Sequence, residues 1–305
     1  MAFIDHIRFC NAHDLADFVP FRVGQARVGL MRRGLSLELR RFGTLFHVFE
    51  DLVHLDPRLA TYEDRTKAVD EALAALSEEG LLPRLRGEKY PVMERLSDAP
   101  VFEIDRAAAT AFGIINRGFH LNGIVGEGDG ARMWLARRAW DKTTYPGHLD
   151  NIVAGGHPVG HSAEENLIKE CAEEAGIAEP LARRAVPTGM VSYVMEVADS
   201  GPSSTGGDMG GSLGGGLRRH AFWTYDLDLP EDFRPEPVDG EVAEFMLLPW
   251  REVADIVERG AVAGPEGFKY NCNLVVIDWL IRTGRIAPDH PDYLDLCTGL
   301  HAVFP

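Results

Sequence analysis

GGHPVGHSAEENLIKECAEEAGI, residues 155–177, is the stretch of this 305-residue chain that decides the fold and points to the chemistry. It places a glycine-containing loop directly before a helix. Ser162 and Glu165 have the spacing of a capping box and Gly176 follows the last turn, so a helix is predicted between them. Apolar residues at helical spacing predict one buried face, formed by Leu167, Ile168, Cys171, Ala172 and Ala175.

Three carboxylates crowd one turn of this helix. Glu170, Glu173 and Glu174 stand at i, i+3 and i+4, and like charges repel by about 0.2–0.5 kcal/mol for each exposed i,i+4 pair. A hard divalent cation such as Mg²⁺ would turn the repulsion into a binding site, because it takes carboxylate and phosphate oxygens as ligands. The alternative is a solvated acidic face. Glu174 lies nearest the apolar face and is expected to be the most enclosed.

The pattern around the helix resembles the Nudix box, which reads Gly, five residues, Glu, seven residues, Arg-Glu, an apolar residue, any residue, Glu-Glu, any residue, Gly and an apolar residue. From Gly155 to Ile177 the chain departs from it at two positions only. The resemblance implies an enzyme that hydrolyses a diphosphate linkage with Mg²⁺ or Mn²⁺ as cofactor. It also implies that Glu170, Glu173 and Glu174 are metal ligands and catalytic residues.

The two departures are at Lys169 and His161. These residues are expected to support the glutamates, as is Gly155, which matches the pattern. Lys169 stands at the Arg position, where it keeps the cation but loses the planar fork of donors. His161 stands at the first Glu position and removes an acidic group. If that carboxylate only orients Lys169, activity should survive, and if it holds a second metal, activity should fall. An ordinary loop histidine is the alternative.

Residues 142–156, 225–245 and 268–286 extend the resemblance to the Nudix branch associated with thiamine metabolism. This branch implies thiamine diphosphate or its damaged analogues, such as oxo- and oxythiamine diphosphate, as substrates that are cleaved to monophosphates. Hydrolysis of ADP-ribose or nucleoside diphosphate sugars remains an alternative. So does a catalytically impaired, Nudix-like ligand-binding module, which His161 favours. An isomerase of the isopentenyl diphosphate type would need a positioned cysteine, and none stands out in a predicted pocket loop.

An acid outside the box often completes a site of this kind. Glu241 and Glu244 enter a predicted strand, where residues three apart fall on opposite faces, so only one can face the site. We favour Glu241 as a further catalytic residue. An anionic diphosphate also needs local cations, for which Arg137, Arg138 and Lys142 are candidates, with surface solvation as the alternative.

A flat heteroaromatic ring in the substrate would need an aromatic partner. Tyr193 is our candidate for substrate binding, and Trp140, Tyr145 and Trp223 are further possibilities. Aromatic residues in strands are more often part of the core, which is the alternative interpretation.

Composition sets the class of protein. A net charge of −16, with 45% hydrophobic and 26% charged residues, argues for a soluble enzyme with a small-molecule partner and against nucleic acid or anionic membrane. Four cysteines without CxxC spacing argue against zinc and disulfides and favour a reducing cytoplasm. Neither an apolar run of about 18 residues nor a signal peptide is evident. The chain is compatible with a homodimer.

The predicted fold class is α/β, with an α+β mixed sheet: a Nudix-type α/β/α sandwich preceded by a small α+β N-terminal domain. We divide the chain into residues 1–105, of unknown role, residues 106–286, the Nudix hydrolase domain, and residues 287–305, a C-terminal tail. In the first part, residues 23–31, 35–41 and 45–55 are predicted to be extended, and residues 62–79 helical. The glycine-rich segment 200–216 lacks GK[ST] and is predicted to be a flexible hairpin loop, not a phosphate-binding loop.

Overall fold

A computed structural model describes residues 2–198, 212–260 and 264–305. The helices are α1 Phe3–Cys10, α2 Arg33–Leu39, α3 Tyr62–Glu78, α4 Ala163–Ala175, α5 Glu179–Ala182, α6 Trp250–Arg259, α7 Tyr270–Arg282 and α8 Tyr293–Gly299. The strands are β1 Phe18–Val23, β2 Ala26–Arg32, β3 Phe46–Val48, β4 Val53–Leu55, β5 Lys89–Val92, β6 Phe102–Asp105, β7 Ile115–Val125, β8 Arg132–Arg138, β9 Leu149–Asn151, β10 Val153–Gly156, β11 Val186–Val197, β12 Gly216–Asp228 and β13 Val242–Pro249.

The larger sheet has the order β11-β12-β7-β8-β13, with β10 beside β7 and β9 beside β8. Strands β12 and β7 run parallel, and the other neighbours are antiparallel. One face packs against α4 through a cluster that includes Phe119, Leu167 and Cys171. The other face packs against α1, α6, α7 and α8. The sheet is therefore mixed and lies between helices, which confirms the predicted fold class.

A second sheet, with the order β2-β1-β4-β3, packs against α2 and α3 over its own apolar cluster. Residues 33–39 form the helix α2, so the prediction that residues 35–41 are extended is wrong. Leu35, Ser36 and Leu39 are buried, and this i, i+1, i+4 pattern is helical and not alternating. Helix α3 begins as predicted, with Thr61 Oγ1 accepting a hydrogen bond from the Asp64 amide at 3.0 Å.

Helix α1 packs in the same cluster as α7 and α8. The division of the chain at residues 105 and 286 stays a prediction. The prediction for segment 200–216 falls mostly on residues 199–211, which lie outside the described residues. None of the helices within the described ranges is both long enough and apolar enough to span a membrane.

The box helix, α4, has the predicted ends. Ser162 Oγ accepts from the Glu165 amide at 3.2 Å and a Glu165 carboxylate oxygen accepts from the Ser162 amide at 2.8 Å, so the capping box is formed. Gly176 ends the helix at φ 63°, in the left-handed region that glycine tolerates best. Ala172 is exposed, contrary to its predicted burial, and Asn166 is buried in the apolar face instead.

Candidate active site

A cavity of about 420 Å³ lies between the box helix, the larger sheet and α7. Arg117 and Phe119 of β7 line it together with Asn116 and His120, and alternate residues of a strand point to opposite faces. The cavity therefore reaches both faces of the sheet. We call its box-helix side the acidic wall, formed by Glu170, Glu173, Glu174 and Glu241. We call its other side the α7 wall, formed by Asn116, His120, Tyr193, Arg218, His220, Tyr270 and Asn271.

The acidic wall is held against β10 by short contacts. Glu174 accepts a hydrogen bond from the Ala154 amide at 3.0 Å, and the Asn166 side chain donates to the Gly156 carbonyl at 2.8 Å. A Cβ atom on Gly155 would lie 2.9 Å from Cγ of Glu170, closer than real side chains approach. Glycine at this position lets the strand pass directly beside the glutamate.

The electrostatics of the acidic wall favour a bound cation. Burial raises the pKa of Glu174 well above its usual value, and Asp150, Glu170 and Glu241 raise it further, while the hydrogen bond from Ala154 lowers it. Burial likewise raises the pKa of Glu170, against the influence of Lys169. Burial disfavours the ionised form of these carboxylates, and a bound cation would offset that cost, since carboxylate oxygens are the ligands that hard divalent cations take. The residues present therefore fit such a cation.

Two lysines form ion pairs with three of these four carboxylates. Lys169 Nζ lies 2.8 Å from a Glu173 oxygen and 3.2 Å from a Glu170 oxygen, and Lys142 forms an ion pair with Glu241. Among the described residues, the glutamate oxygens do not form a group of three within 4.8 Å of one another. Cation binding by Glu170 and Glu173 would therefore require their carboxylates to leave Lys169.

His120, Asp150 and Cys272 do bring ligand atoms within 4.8 Å of one another. Each of these atoms already has a hydrogen-bonding partner: Asp150 Oδ1 accepts from the Cys272 thiol at 2.8 Å and from the Asn151 amide at 3.0 Å, and its Oδ2 accepts from Arg138 at 3.1 Å. Burial raises the pKa of the Cys272 thiol well above its usual value, so the thiol keeps its proton. We interpret the group as a structural hydrogen-bond network.

Most of the residues predicted from the sequence line the cavity. They are Gly155, Lys142, Lys169, Glu170, Glu173, Glu174, Tyr193 and Glu241. Glu244 lies away from it, 2.7 Å from Arg137, as expected if only one of the two strand-entry glutamates faces the site.

His161 and Arg137 do not line the cavity. His161 is exposed, and its carbonyl oxygen lies 2.6 Å from Nε2 of His157. The Arg137 guanidinium is engaged by Glu244 and donates to the carbonyl oxygens of Gly147 at 2.9 Å and Pro265 at 2.8 Å. Its neighbour Arg138 lines the cavity instead and pairs with Asp150.

Tyr193 contributes its hydroxyl group and not an open ring face. The residue is fully buried, and its ring packs against His220, Phe222 and Tyr270 at centroid distances of 5.2, 6.1 and 5.9 Å. Its hydroxyl oxygen lies 2.8 Å from Nδ1 of His220 and 2.9 Å from the hydroxyl of Tyr270. Of the other aromatic candidates, Tyr145 lines the cavity, whereas Trp140 and Trp223 do not.

Arg117 and Arg218 also line the cavity, and neither was singled out from the sequence. Arg218 is buried and donates to the Tyr270 hydroxyl at 2.8 Å. Arg117, on the box-helix side, has a pKa lowered by burial. Among the described residues, no carboxylate forms an ion pair with either guanidinium. Arg218 and His220 stand two apart in β12 and so share one face of the sheet, which is the signal that would have found this wall.

The chain is similar in sequence to two named hydrolases and matches one family model. Residues 2–116 match a family model described as a domain of unknown function, DUF4743. Nudix hydrolase 24, chloroplastic, from Arabidopsis thaliana is 39% identical over 299 residues, which cover 96% of this chain and 76% of that protein. Nudix hydrolase 20, chloroplastic, from the same species is 38% identical over 306 residues, with the same two coverages. Among solved structures, the MutT protein from Methanosarcina mazei Go1 is 15% identical, with a TM-score of 0.35 over 57% of this chain and 96% of that one.

The predicted cytoplasmic location is contradicted, because both Arabidopsis relatives are named chloroplastic. The prediction was based on cysteines without a disulfide pattern, and the cysteines are free in the structure. Free cysteines indicate a reducing compartment. They do not distinguish one reducing compartment from another, so this signal could not have fixed the location.

Proposed function

This chain belongs to the Nudix hydrolase family and is a Nudix-type diphosphate hydrolase, and we propose that it cleaves thiamine diphosphate or a damaged analogue to a monophosphate. The three stretches that resemble the thiamine-associated branch support this substrate, because each contributes to the cavity. The cavity is lined by Lys142 from the first stretch, Glu241 from the second and Asn271 from the third. Residues that resemble one branch therefore line the cavity in which we propose that the substrate binds.

Members of the family act on small-molecule diphosphates with a divalent metal, and we propose Mg²⁺ or Mn²⁺ held by Glu170, Glu173 and Glu174. When bound, the cation supplies positive charge to the diphosphate oxygens. Glu241 lies on the same acidic wall as the box glutamates, paired with Lys142. Release from this lysine would free the Glu241 carboxylate to orient the attacking water and accept its proton.

The chain's own cations would hold the diphosphate. Arg117 lies on the box-helix side without a carboxylate partner among the described residues, and Lys142 lines the same cavity. A guanidinium binds phosphate oxygens through two parallel hydrogen bonds. We therefore propose Arg117 and Lys142 as phosphate ligands. Arg137, predicted for this role, keeps its guanidinium bonded to Glu244 and two backbone carbonyls.

His161 does not by itself argue for an inactive binding module. Lys169, the residue that a carboxylate at this position would orient, is already paired with Glu170 and Glu173. The loop before the helix is also fixed without it, because Asn166 donates to Gly156 and Ser162 caps the helix. We propose that these contacts supply the support that a glutamate at this position would give.

Residues before 106 supply part of the cavity lining, including Arg86, Glu88 and Tyr90. We therefore propose that the unit formed by residues 1–105 shapes the substrate pocket of the domain formed by residues 106–286. The net charge of −16 supports a chain without nucleic-acid partners. Assembly as a homodimer is a further proposal, to be tested by the mass of the protein in solution.

The observation that carries the proposal is a wall of four glutamates facing a cavity in a member of this family. The test incubates the protein and Mg²⁺ with thiamine diphosphate, oxothiamine diphosphate, oxythiamine diphosphate, ADP-ribose and a nucleoside diphosphate sugar, and measures product masses. Thiamine-type monophosphates and inorganic phosphate are expected. Cleavage of only ADP-ribose or the nucleoside diphosphate sugar would show that the enzyme acts on those substrates instead. Ligand binding without any product would indicate a binding module.

A further inference from the structure

Strand β5, in the region that matches DUF4743, lies against the loop that leads into the box helix. We call residues 157–162, between β10 and α4, the box loop. The Val159 amide donates to the Lys89 carbonyl oxygen at 3.0 Å. The family match covers residues 2–116, so this hydrogen bond joins the matched region to the loop that precedes the glutamates.

The next residue of β5, Tyr90, contacts Gly156 at the end of β10. A Cβ atom on Gly156 would overlap the Tyr90 hydroxyl oxygen and lie 3.1 Å from its Cζ atom. Both residues line the cavity. The Tyr90 ring is only 5% exposed and packs in the same apolar cluster as the second sheet, so it has little room to move aside. Glycine is therefore the residue that fits against this hydroxyl group.

Strand β5 is itself held in place by two elements. It pairs with β6 in antiparallel register, with Tyr90 opposite Ile104. The Lys89 ammonium group forms an ion pair with Asp70 of α3. Strand β5 is therefore a fixed support, and the box loop and the end of β10 rest on it.

Gly156 transmits the position set by β5 to the box helix. Its carbonyl oxygen accepts a hydrogen bond from Nδ2 of Asn166, near the start of α4, at 2.8 Å. Two residues earlier, the Ala154 amide donates to Glu174 at 3.0 Å. A displacement of Gly156 therefore moves the end of β10 against the helix that carries the acidic wall.

We propose that the region matching DUF4743 is the positioning unit of the hydrolase. Tyr90, through its contact with Gly156, fixes the approach of β10 to the box helix and so places the glutamates for the cation. The Lys89 carbonyl oxygen is the second support. Tyr90 is a positioning residue, because it acts on the glutamates through Gly156 and not on the reacting atoms. Cation binding by these glutamates rests on the proposed function.

A suppressor pair tests the contact, with Mn²⁺ affinity measured by electron paramagnetic resonance. Gly156→Ala adds the Cβ atom that meets the Tyr90 hydroxyl group, and it should weaken Mn²⁺ binding about tenfold, as changes beside metal ligands do. In Gly156→Ala/Tyr90→Phe the overlapping oxygen is absent. The Mn²⁺ dissociation constant of this double variant should therefore return to that of Tyr90→Phe alone.

Gly155→Ala/Tyr90→Phe is the matched control. The nearest neighbours of a Cβ atom on Gly155 would be Glu170 and Phe119. Loss of the Tyr90 hydroxyl group should therefore leave the Mn²⁺ affinity as low as in Gly155→Ala. Rescue that is confined to Gly156→Ala identifies the contact between Tyr90 and Gly156.

A second comparison separates positioning from stability. Tyr90→Leu removes the contact without adding an atom to β10. Phe102→Leu removes a ring from the partner strand β6, in the same apolar cluster, and Phe102 does not line the cavity. Both variants should lower the midpoint of thermal unfolding, whereas only Tyr90→Leu should weaken Mn²⁺ binding, severalfold.

Wild-type Mn²⁺ affinity in Gly156→Ala would overturn the proposal. So would a double variant that binds Mn²⁺ as weakly as Gly156→Ala does. If Gly156→Ala does not fold, equal Mn²⁺ affinity of Tyr90→Leu and Phe102→Leu decides against the proposal.

The side-chain amide signal of Asn166, in NMR spectra of the ¹⁵N-labelled protein, reports on the position of Gly156 without metal. It should shift in Gly156→Ala and return in the double variant, and a signal that does not shift would count against the proposal. A wild type that binds no Mn²⁺ would remove the metal site of the proposed function. The shift and return of the Asn166 signal would then still support the positioning of β10 by Tyr90.

Discussion

The acidic wall and the α7 wall face one cavity but are built in opposite ways. The glutamates of the acidic wall come mainly from a single helix, α4, placed by the loop before it. The α7 wall collects side chains from β7, β11, β12 and α7. Tyr193, His220 and Asn116 meet only because these three strands are neighbours in register. Helical spacing encodes the first wall, and the pairing of distant strands creates the second.

The two walls also differ in their charged groups: the acidic wall carries carboxylates, and the α7 wall carries a buried guanidinium. On the acidic wall, burial and like charges raise the pKa values of Glu170 and Glu174. On the α7 wall, Arg218 is a buried cation without a carboxylate partner among the described residues, and Asn271 has an acceptor without a donor. This difference is the basis for our proposal that the acidic wall holds a cation and phosphate oxygens.

The largest expected effect comes from removing one charge from the acidic wall. Glu174→Gln keeps the shape of the side chain and should lower kcat about a hundredfold or more, because an electrostatic stabiliser of the transition state is weakened. Phosphate release at saturating Mg²⁺ measures it. Glu164→Gln, on an exposed turn of the same helix, is the matched control and should remain close to wild type. Near-wild-type turnover of Glu174→Gln would refute the role of Glu174.

A backbone change beside the same wall should have the next largest effect. In Gly155→Ala the new Cβ would lie 2.9 Å from Cγ of Glu170, so the carboxylate has to move. We expect kcat to fall about tenfold to a hundredfold, as misplacement of catalytic groups by about 1 Å does. Gly130→Ala is the control, since its Cβ would meet no atom within 4 Å. Equal turnover of both variants would show that the close approach of β10 is unimportant.

On the α7 wall, function and stability should separate. Arg218→Met removes a buried charge that has no ion-pair partner among the described residues, and burying a charge without such a partner is costly. We expect an unchanged or higher free energy of unfolding together with about a tenfold rise in KM. Urea unfolding and steady-state kinetics measure the two quantities. A large loss of stability with unchanged KM would instead make Arg218 a structural residue.

The smallest expected effect concerns helix ends. Ser162→Ala and Thr61→Ala each remove an N-cap and should lower the free energy of unfolding by about 1 kcal/mol. Only Ser162→Ala should also reduce kcat, because α4 carries the acidic wall and α3 does not. Identical kinetics of the two variants would show that the cap of the box helix has no influence on the site.

The sequence was sufficient for features that depend on neighbours along the chain. Ser162, Glu165 and Gly176 fixed the ends of the box helix, and Glu170 and Glu174 followed from helical spacing. The mixed sheet between helices was also predicted. The error at residues 35–41 has a local cause, because a short run of apolar residues fits a strand and a helix almost equally well.

Features that depend on strand pairing were missed. Arg137 and Arg138 are adjacent, and only the fold shows that the first is engaged by Glu244 while the second lines the cavity. Asn271 carries no local signal for a place in the cavity lining. Its amide nitrogen lies 3.0 Å from Nε2 of His120, a contact that only the folded chain creates. No spacing rule links residues so far apart in the chain.

The central claim, that the acidic wall collects a divalent cation, is tested most directly by Mn²⁺ binding measured by electron paramagnetic resonance. The wild type should bind Mn²⁺, and Glu174→Gln should bind it about tenfold or more weakly, while Glu164→Gln should match the wild type. Equal Mn²⁺ affinity in all three proteins would contradict the account.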